Sequence, residues 1–259
     1  MNLTHTQIID NSQIAPDIFS MTVRAPKIAA TARAGQFVMV YLPNGELLLP
    51  RPISICDKTD DTLRLVYQVV GKGTAVMAQM PVGGTVKILG SLGKGFFTKP
   101  GEARTAMNKV ALVGGGIGTP PLLLLAKTLK AQDANVDVYL GFRQHPILVE
   151  EFEAVADTIR IATEYGSVGH RGSILDVLQS IHVQYDEILT CGPRGMLNAV
   201  AAHATAHDTP CQISTEERMA CGIGTCVGCA LSVNGTNVRI CTEGPVFYAN
   251  TVSNIRGDK

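Results

Sequence analysis

The sequence has no charge bias. Its 259 residues carry 22 Lys and Arg against 22 Asp and Glu, and only 17% of them are charged. A formal net charge of zero gives no electrostatic case for nucleic acid or an anionic membrane as partner. No apolar run reaches the ~18 residues of a membrane span; the greasiest stretch, P-P-L-L-L-L-A, is interrupted at Lys127. The opening M-N-L-T-H-T-Q lacks the basic-then-apolar layout of a secretory signal. Internal repeats and low-complexity segments are missing as well. These absences lead to the expectation of a soluble, cytoplasmic protein. There the seven cysteines stay reduced, so clustered thiols point to metal or redox work rather than to disulfides.

The first hundred residues read as strands rich in Val, Ile and Thr: T-Q-I-I-D-N, I-F-S-M-T-V-R-A, G-Q-F-V-M-V-Y-L, R-P-I-S-I-C-D, T-L-R-L-V-Y-Q-V-V and T-V-K-I-L-G. Pro, Gly, Asn and Asp separate them, and one short helix is expected from Thr74 to Met80. Six such strands predict a small antiparallel barrel. The pattern then changes to apolar strands (K-V-A-L-V-G-G-G, N-V-D-V-Y-L-G-F, T-I-R-I-A-T-E, D-E-I-L-T-C-G-P) alternating with helical segments, which describes a parallel α/β domain. The last fifty residues are a cysteine-rich appendage with few helix signals.

G-G-G-I-G-T-P-P at 114–121 joins a strand to a helix. Gly114, Gly115, Gly116, Gly118 and Thr119 there offer backbone N–H groups to a pyrophosphate, with no Cβ in the way. The loop departs from G-x-G-x-x-G, and the second strand ends in Gly141-Phe142-Arg143 rather than in a ribose-binding acid. A tight turn of an ordinary α/β domain is the other reading. A second turn, C-G-P-R-G-M-L, places Cys191 and Gly192 at another strand end, which points to a crevice along the carboxyl edge of the sheet. Cys191 is read either as packing near a ligand ring or as a small buried hydrophobe. Arg143 fits a 2′-phosphate or a plain surface charge.

The tail spaces its cysteines as Cys221-x4-Cys226-x2-Cys229-x11-Cys241. Structural zinc usually takes two C-x2-C knuckles or adds histidines; here there is one knuckle, and no histidine follows His207. The order C-x4-C-x2-C…C matches a plant-type [2Fe–2S] site, in which each iron takes two thiolates. Gly222, Gly224 and Gly228 suit a loop whose amides face the sulfurs. Zinc is the alternative. Cys56 and Cys211 fall outside the pattern and read as buried thiols. His203 and His207, four apart, read as a solvated helix face in the absence of H-E-x-x-H.

A nicotinamide exchanges two electrons as hydride and a [2Fe–2S] cluster carries one, so a chain holding both needs a converter, usually a flavin. In the barrel, Arg51 of R-P-I-S would pair with pyrophosphate, Ser54 would meet the ring edge, and Gly73-Thr74 of V-G-K-G-T would offer amides. A surface arginine and a hairpin are the plain alternatives.

R-P-I-S, V-G-K-G-T, G-G-G-I-G-T-P-P, C-G-P-R-G-M-L, E-E-R-M-A-C-G-I-G-T-C-V-G-C and the tail C-T-E-G-P-V-F follow one another over almost the whole chain. Together they resemble the ferredoxin-reductase-like flavoprotein family, and within it most closely the electron transfer subunits of dihydroorotate dehydrogenase B. The resemblance implies a multidomain β plus α/β fold: an FAD-binding antiparallel β-barrel over 1–102, a parallel α/β NAD-binding domain over 103–210 and a C-terminal [2Fe–2S] domain over 211–259. It implies that Arg51, Pro52, Ile53 and Ser54 touch FAD, that Val66, Tyr67 and Gln68 lie along it by backbone contacts, and that Gly73 and Thr74 lie near its phosphates. It makes Cys221, Cys226, Cys229 and Cys241 the iron ligands. The implied activity is oxidoreduction in pyrimidine biosynthesis. Electrons pass from a dihydroorotate-oxidising, FMN-containing catalytic partner through [2Fe–2S] and FAD to NAD+, with two of each subunit in a heterotetramer. Two departures stand out: Ser91-Leu92-Gly93 replaces Pro-Leu-Gly, and the Cys229–Cys241 spacing is short beside the family's. A reductase subunit serving another partner, such as ferredoxin:NADP oxidoreductase, sulfide dehydrogenase or hydrogenase, is the alternative, and a zinc-stabilised binding module a more distant one.

Overall fold

The computed structural model describes residues 2–43, 47–96 and 109–252. They form two compact units. One comprises Met1–Gly95, Glu216–Leu231 and Asn237–Pro245; the other comprises Phe96–Thr215, Ser232–Thr236 and Val246–Lys259.

In the first unit, β1 (Asn2–Ala15), β2 (Ile18–Arg24), β3 (Phe37–Tyr41), β4 (Arg51–Lys58), β5 (Thr62–Gln68) and β6 (Thr85–Leu92) close a barrel in the order β1-β2-β5-β4-β3-β6. Every pairing in it is antiparallel. Closure leaves no unpaired strand edge. Alternating apolar residues fill the interior: Met21, Val23, Ile55, Leu63, Leu65 and Ile88 are all fully buried. The β1–β2 hairpin turns through Pro16 and Asp17, the latter left-handed at φ 58°, so that Ala15 pairs with Ile18. Two short helices, α1 (Pro26–Ala29) and α2 (Lys72–Ala78), complete this part. The helix expected at Thr74–Met80 begins two residues earlier, because the Thr74 hydroxyl accepts from Val70 and Gly71 N–H and so turns the chain before Lys72.

In the second unit, β7 (Lys109–Gly115), β8 (Asn135–Phe142), β9 (Thr158–Thr163), β10 (His170–Arg171), β11 (Glu187–Cys191), β12 (Cys211–Ser214) and, far along the chain, β15 (Val246–Tyr248) form one sheet ordered β10-β9-β8-β7-β11-β12-β15. The neighbours run parallel except β12 and β15. The first helix, α3 (Pro121–Lys130), opens on two prolines and buries Leu122–Leu125; α4 (Val149–Glu153), α5 (Ile174–Ser180) and α6 (Arg194–Ala206) follow. The tail contributes a two-stranded ribbon of β13 (Ala230–Val233) and β14 (Thr236–Arg239) and the short helix α7 (Ile240–Glu243). The appendage is thus more regular than its composition suggests: Cys211–Ser214 and Val246–Tyr248 are sheet strands. The expected boundary at 102/103 lies outside the described residues.

Two acidic side chains are buried in this sheet, Asp137 in β8 and Glu187 in β11, where the Gln212 amide donates to Glu187 Oε1 at 2.7 Å. Asp137, 2% exposed, accepts from Thr158 Oγ1 at 2.6 Å and from the Tyr185 hydroxyl at 2.8 Å, and Lys109 Nζ lies 3.6 Å away. Because Tyr185 gives its only proton to Asp137, Tyr139 donates to Tyr185 across their 2.6 Å contact. Full satisfaction is what makes such a network tolerable in a core.

Asp157 ties α3 to the start of β8. Desolvation pushes its carboxyl up, but the Val136 N–H at 2.6 Å and Lys130 Nζ at 2.9 Å outweigh it, so the pKa lies below the usual carboxylate value. A lowered folded-state pKa contributes stability that is present above the unfolded value of about 3.9 and is lost as pH falls through the folded value. Asp157→Asn is therefore expected to melt below wild type by a constant margin above about pH 5, and the margin is expected to close as pH drops below about 4, read by calorimetry across pH.

Candidate functional site

Three groups of predicted residues can be located. The first lies at one end of the barrel. Strands β4 and β5 are antiparallel and their pairing ends at Ile55 opposite Leu65; Arg51–Ser54 and Val66–Gln68 continue the two strands past that pair, and α2 follows β5 directly. Arg51 lies against Gly73: a Cβ at Gly73 would meet the guanidinium and push the flexible arginine side chain aside. Arg51 Nη1 donates to the Leu49 carbonyl. Pro52 and Gln68 are exposed, Ser54 is half-buried, and Ile53 and Val66 are buried. Tyr67 is buried, with its hydroxyl donating to Asn11 Oδ1 at 3.0 Å; burial, only partly offset by that bond, pushes its pKa up to about 12. Asn11, whose amide also donates to the Met77 and Met80 carbonyls, was not foreseen.

The second group lies at the carboxyl edge of the sheet. The chain leaves β7 toward β8 on one side and reaches β11 on the other, which makes the β7–β11 gap the topological switch point where such sheets take ligands. Cys191 and Gly114 are register partners across that gap. The turns after them meet backbone to backbone: a Cβ on Gly118 would lie 2.5 Å from Gly192 Cα and 2.7 Å from the Cys191 carbonyl carbon. Gly115 is closed in by Met196 and Pro193, while Gly116, left-handed at φ 51°, has open space on its Cβ side. The Thr119 hydroxyl is fully buried and finds no hydrogen-bond partner among the described residues. An orphaned hydroxyl in this turn suits a bound polar group. Arg143, at the end of β8, is 79% exposed and pairs with Glu164 at 3.5 Å, and Tyr165 also hydrogen-bonds it. The rings of His203 on α6 and His207 just beyond its end lie 4.2 Å apart and tilted by 39°, and His207 Nδ1 donates to the His203 carbonyl at 2.8 Å.

The third group is the cysteine loop. It rests on the barrel, where Gly222, at φ 71°, lies so close to Met39 that a Cβ would be 2.7 Å from the Met39 Cγ. The four cysteines are linked two and two through the backbone: the Cys226 N–H donates to Cys221 Sγ, and the Cys241 N–H donates to Cys229 Sγ. Among the described residues no three His, Cys, Asp or Glu side chains are placed to hold one ion. Backbone N–H groups point at the sulfurs: Ile223 and Cys226 donate to Cys221 Sγ at 3.4 Å each, Gly224 to Cys241 Sγ at 3.1 Å and Cys241 to Cys229 Sγ at 3.5 Å. At Cys221 desolvation acts upward, yet donors from Ile223, Cys226 and Thr225 bring the thiol down to about 6. At Cys241 burial and the neighbouring Cys229 push it up to about 12, against the Gly224 N–H. Two cysteine pairs ringed by amide donors fit a two-iron cluster better than a single zinc ion. Cys229 and Cys241 are buried, whereas Cys226 is exposed between Ile223 and Val227, themselves 45% and 62% exposed. Cys56 and Cys211 are buried outside the loop.

A family model described as the iron-sulfur cluster binding domain of dihydroorotate dehydrogenase B matches residues 216–253. The dihydroorotate dehydrogenase B (NAD(+)) electron transfer subunit of Caldanaerobacter subterraneus is 37% identical over 250 residues, covering 95% of this chain and 96% of the relative. The subunit of the same name from Listeria monocytogenes is 38% identical over 256 residues, covering 96% and 98%. The chain belongs to this family. Its members' coverage runs nearly end to end, so the barrel, the sheet and the cysteine loop are all shared. Among solved structures, one of an NADH-dependent reduced ferredoxin-NADP oxidoreductase aligns at TM-score 0.85 with 28% identity, over 96% of this chain and 89% of that one. A ferredoxin NADP+ reductase from Neisseria gonorrhoeae, solved with bound FAD and NADP, aligns at 0.65 with 18% identity over 79% and 91%, which shows the common fold. The fold is therefore ferredoxin-reductase-like, with the iron–sulfur segment at its C-terminal end.

The Gly118–Gly192 approach is open to a direct check. Gly118→Ala is expected to cost about 1–3 kcal/mol through forced separation of the two turns, read as a lower denaturant midpoint at unchanged m-value.

Proposed function

We propose that the chain is the electron transfer subunit of a two-component dihydroorotate dehydrogenase that reduces NAD+, serving pyrimidine synthesis. The observation that carries this reading is the two-and-two linkage of Cys221 with Cys226 and of Cys229 with Cys241 by backbone N–H to sulfur contacts, within a family whose members bear that function in their names. Arg51, Pro52, Ile53, Ser54, the backbone of Val66–Gln68, Gly73 and Thr74 would hold FAD, with Arg51 as the pyrophosphate's charge partner. Gly114, Gly115, Gly116, Gly118, Thr119, Cys191 and Gly192 would hold NAD(H), the Thr119 hydroxyl gaining its missing partner. The four cysteines would hold the cluster. When bound, these groups supply interconversion between single electrons and a hydride. The chain's own part is positional: amides lock the thiolates, and Gly118 and Gly192 let two turns share one crevice. The glycine and cysteine segments divide the work as a flavin domain near 1–102, a nicotinamide domain near 103–210 and a cluster domain within 211–259.

Dihydroorotate itself would be oxidised on an FMN-bearing partner, two copies of each subunit forming the assembly. The exposed Cys226 edge, flanked by Ile223 and Val227, supports electron entry from outside the chain. Among the described residues no helix is long and apolar enough to cross a membrane, which agrees with work in the cytoplasm.

Co-expression with a dihydroorotate-oxidising FMN subunit is expected to give dihydroorotate-dependent NAD+ reduction that neither chain shows alone. A fully cofactor-loaded complex without that activity, but active with another electron donor, would assign the chain to a different reductase complex. Within the active complex, Cys226→Ser is expected to abolish dihydroorotate-to-NAD+ transfer while NADH oxidation by a two-electron acceptor continues at the wild-type rate. Equal loss of both with FAD retained would overturn the proposed order of transfer.

A further inference from the structure

Arg239 and Glu243 form no part of the ligand set, yet the structure builds them into it. Gly224 is left-handed at φ 82° and is held at both ends: its N–H donates to Cys241 Sγ at 3.1 Å, and its carbonyl accepts from Arg239 Nη1 at 3.3 Å. The Arg239 guanidinium is in turn placed by Glu243, whose Oε2 lies 3.5 Å from Arg239 Nε and also accepts the Arg239 backbone N–H at 2.8 Å. Cys241 lies between them on α7, so the contacts close a ring: Gly224, Cys241, Glu243, Arg239 and back to Gly224. A Cβ on Gly224 would meet Thr242 at 3.0 Å, so the chain is packed in this conformation as well as bonded in it.

We propose that Arg239 is a positioning residue for the cluster, one that keeps the Gly224 N–H on the Cys241 sulfur and sets the reduction potential, with Glu243 as its opposing charge. This rests on the reading that the four cysteines hold a [2Fe–2S] cluster. Reduction adds a negative charge to the cluster, and both a hydrogen bond to sulfur and a nearby cation favour the reduced form. Removing Arg239 weakens both effects in the same direction. Removing the charge of Glu243 leaves the arginine uncompensated and acts the opposite way. An ordinary exposed i,i+4 ion pair, worth little to stability, would move the potential in neither direction.

The test is a redox titration of the full chain with FAD and cluster loaded, the cluster followed by the electron paramagnetic resonance of its reduced form and the FAD by absorbance. Arg239→Gln is expected to lower the equilibrium constant for cluster reduction about three- to tenfold, tenfold being 59 mV for one electron. Glu243→Gln is expected to raise it, Arg239→Lys to recover part of the loss, and the FAD potential to stay fixed. An unchanged or raised cluster potential in Arg239→Gln, or shifts of one sign in both variants, would overturn the assignment of Arg239 while leaving the functional reading intact. Should Arg239→Gln fail to retain a cluster, the sign of the Glu243→Gln shift decides. A wild-type chain that takes up no cluster would overturn the functional reading, and this inference with it.

Discussion

The cysteine loop depends on backbone N–H groups pointing inward at sulfur. Thiolates crowded into one loop repel one another, and only donors or metal make that arrangement favourable. Four amide contacts serve Cys221, Cys229 and Cys241, and they require the chain to turn against its usual handedness at Gly222 and Gly224. The barrel then acts as a floor, with Met39 set against Gly222. The loop's glycines are consequently a condition of ligand placement, on equal footing with the cysteines.

The same economy recurs in the sheet. Gly118 and Gly192 bring two turns into backbone contact at the switch point, and Gly73 lets Arg51 lie flat on its own backbone. In each case a missing side chain admits a functional group or a second loop. The chemistry proposed for the chain is thus held by main-chain geometry, and few titratable side chains take part in it.

Much of this was legible in the residues. The barrel strands alternate and are bounded by turn formers, so five of the six fall within two residues of their observed limits, whereas β1 runs four residues further at each end than T-Q-I-I-D-N; the apolar strands from Lys109 onward are equally clear. Cysteine spacing alone singled out Cys221, Cys226, Cys229 and Cys241, among which the structure places backbone N–H to sulfur contacts. The tail strands were not legible, because C-Q-I-S and V-F-Y are too short to show a period. The ribbon around Asn234-Gly235 carried a recognisable turn signal, both residues having positive φ, but it lay inside a segment whose cysteines dominated the reading. The Arg239–Glu243 pair has ordinary helical spacing, and nothing local reveals that Gly224, fifteen residues away, completes it. Asp137 reads as a lone acid in an apolar strand until Tyr185 and Thr158 arrive from elsewhere in the fold.

The chain's path through β12 and β15 bears on how this protein can be taken apart. It supplies β12, departs to build the cysteine loop as part of the first unit, and comes back to supply β15. Neither unit is a continuous segment, so no single cut yields both intact. A fragment ending at residue 210 would strip β12 from β11 and bare a row of unsatisfied amides along a strand that is otherwise wholly buried, a template for self-association. The iron–sulfur segment is stitched into the reductase as an internal loop of its final sheet, so it cannot be gained or lost like a tail.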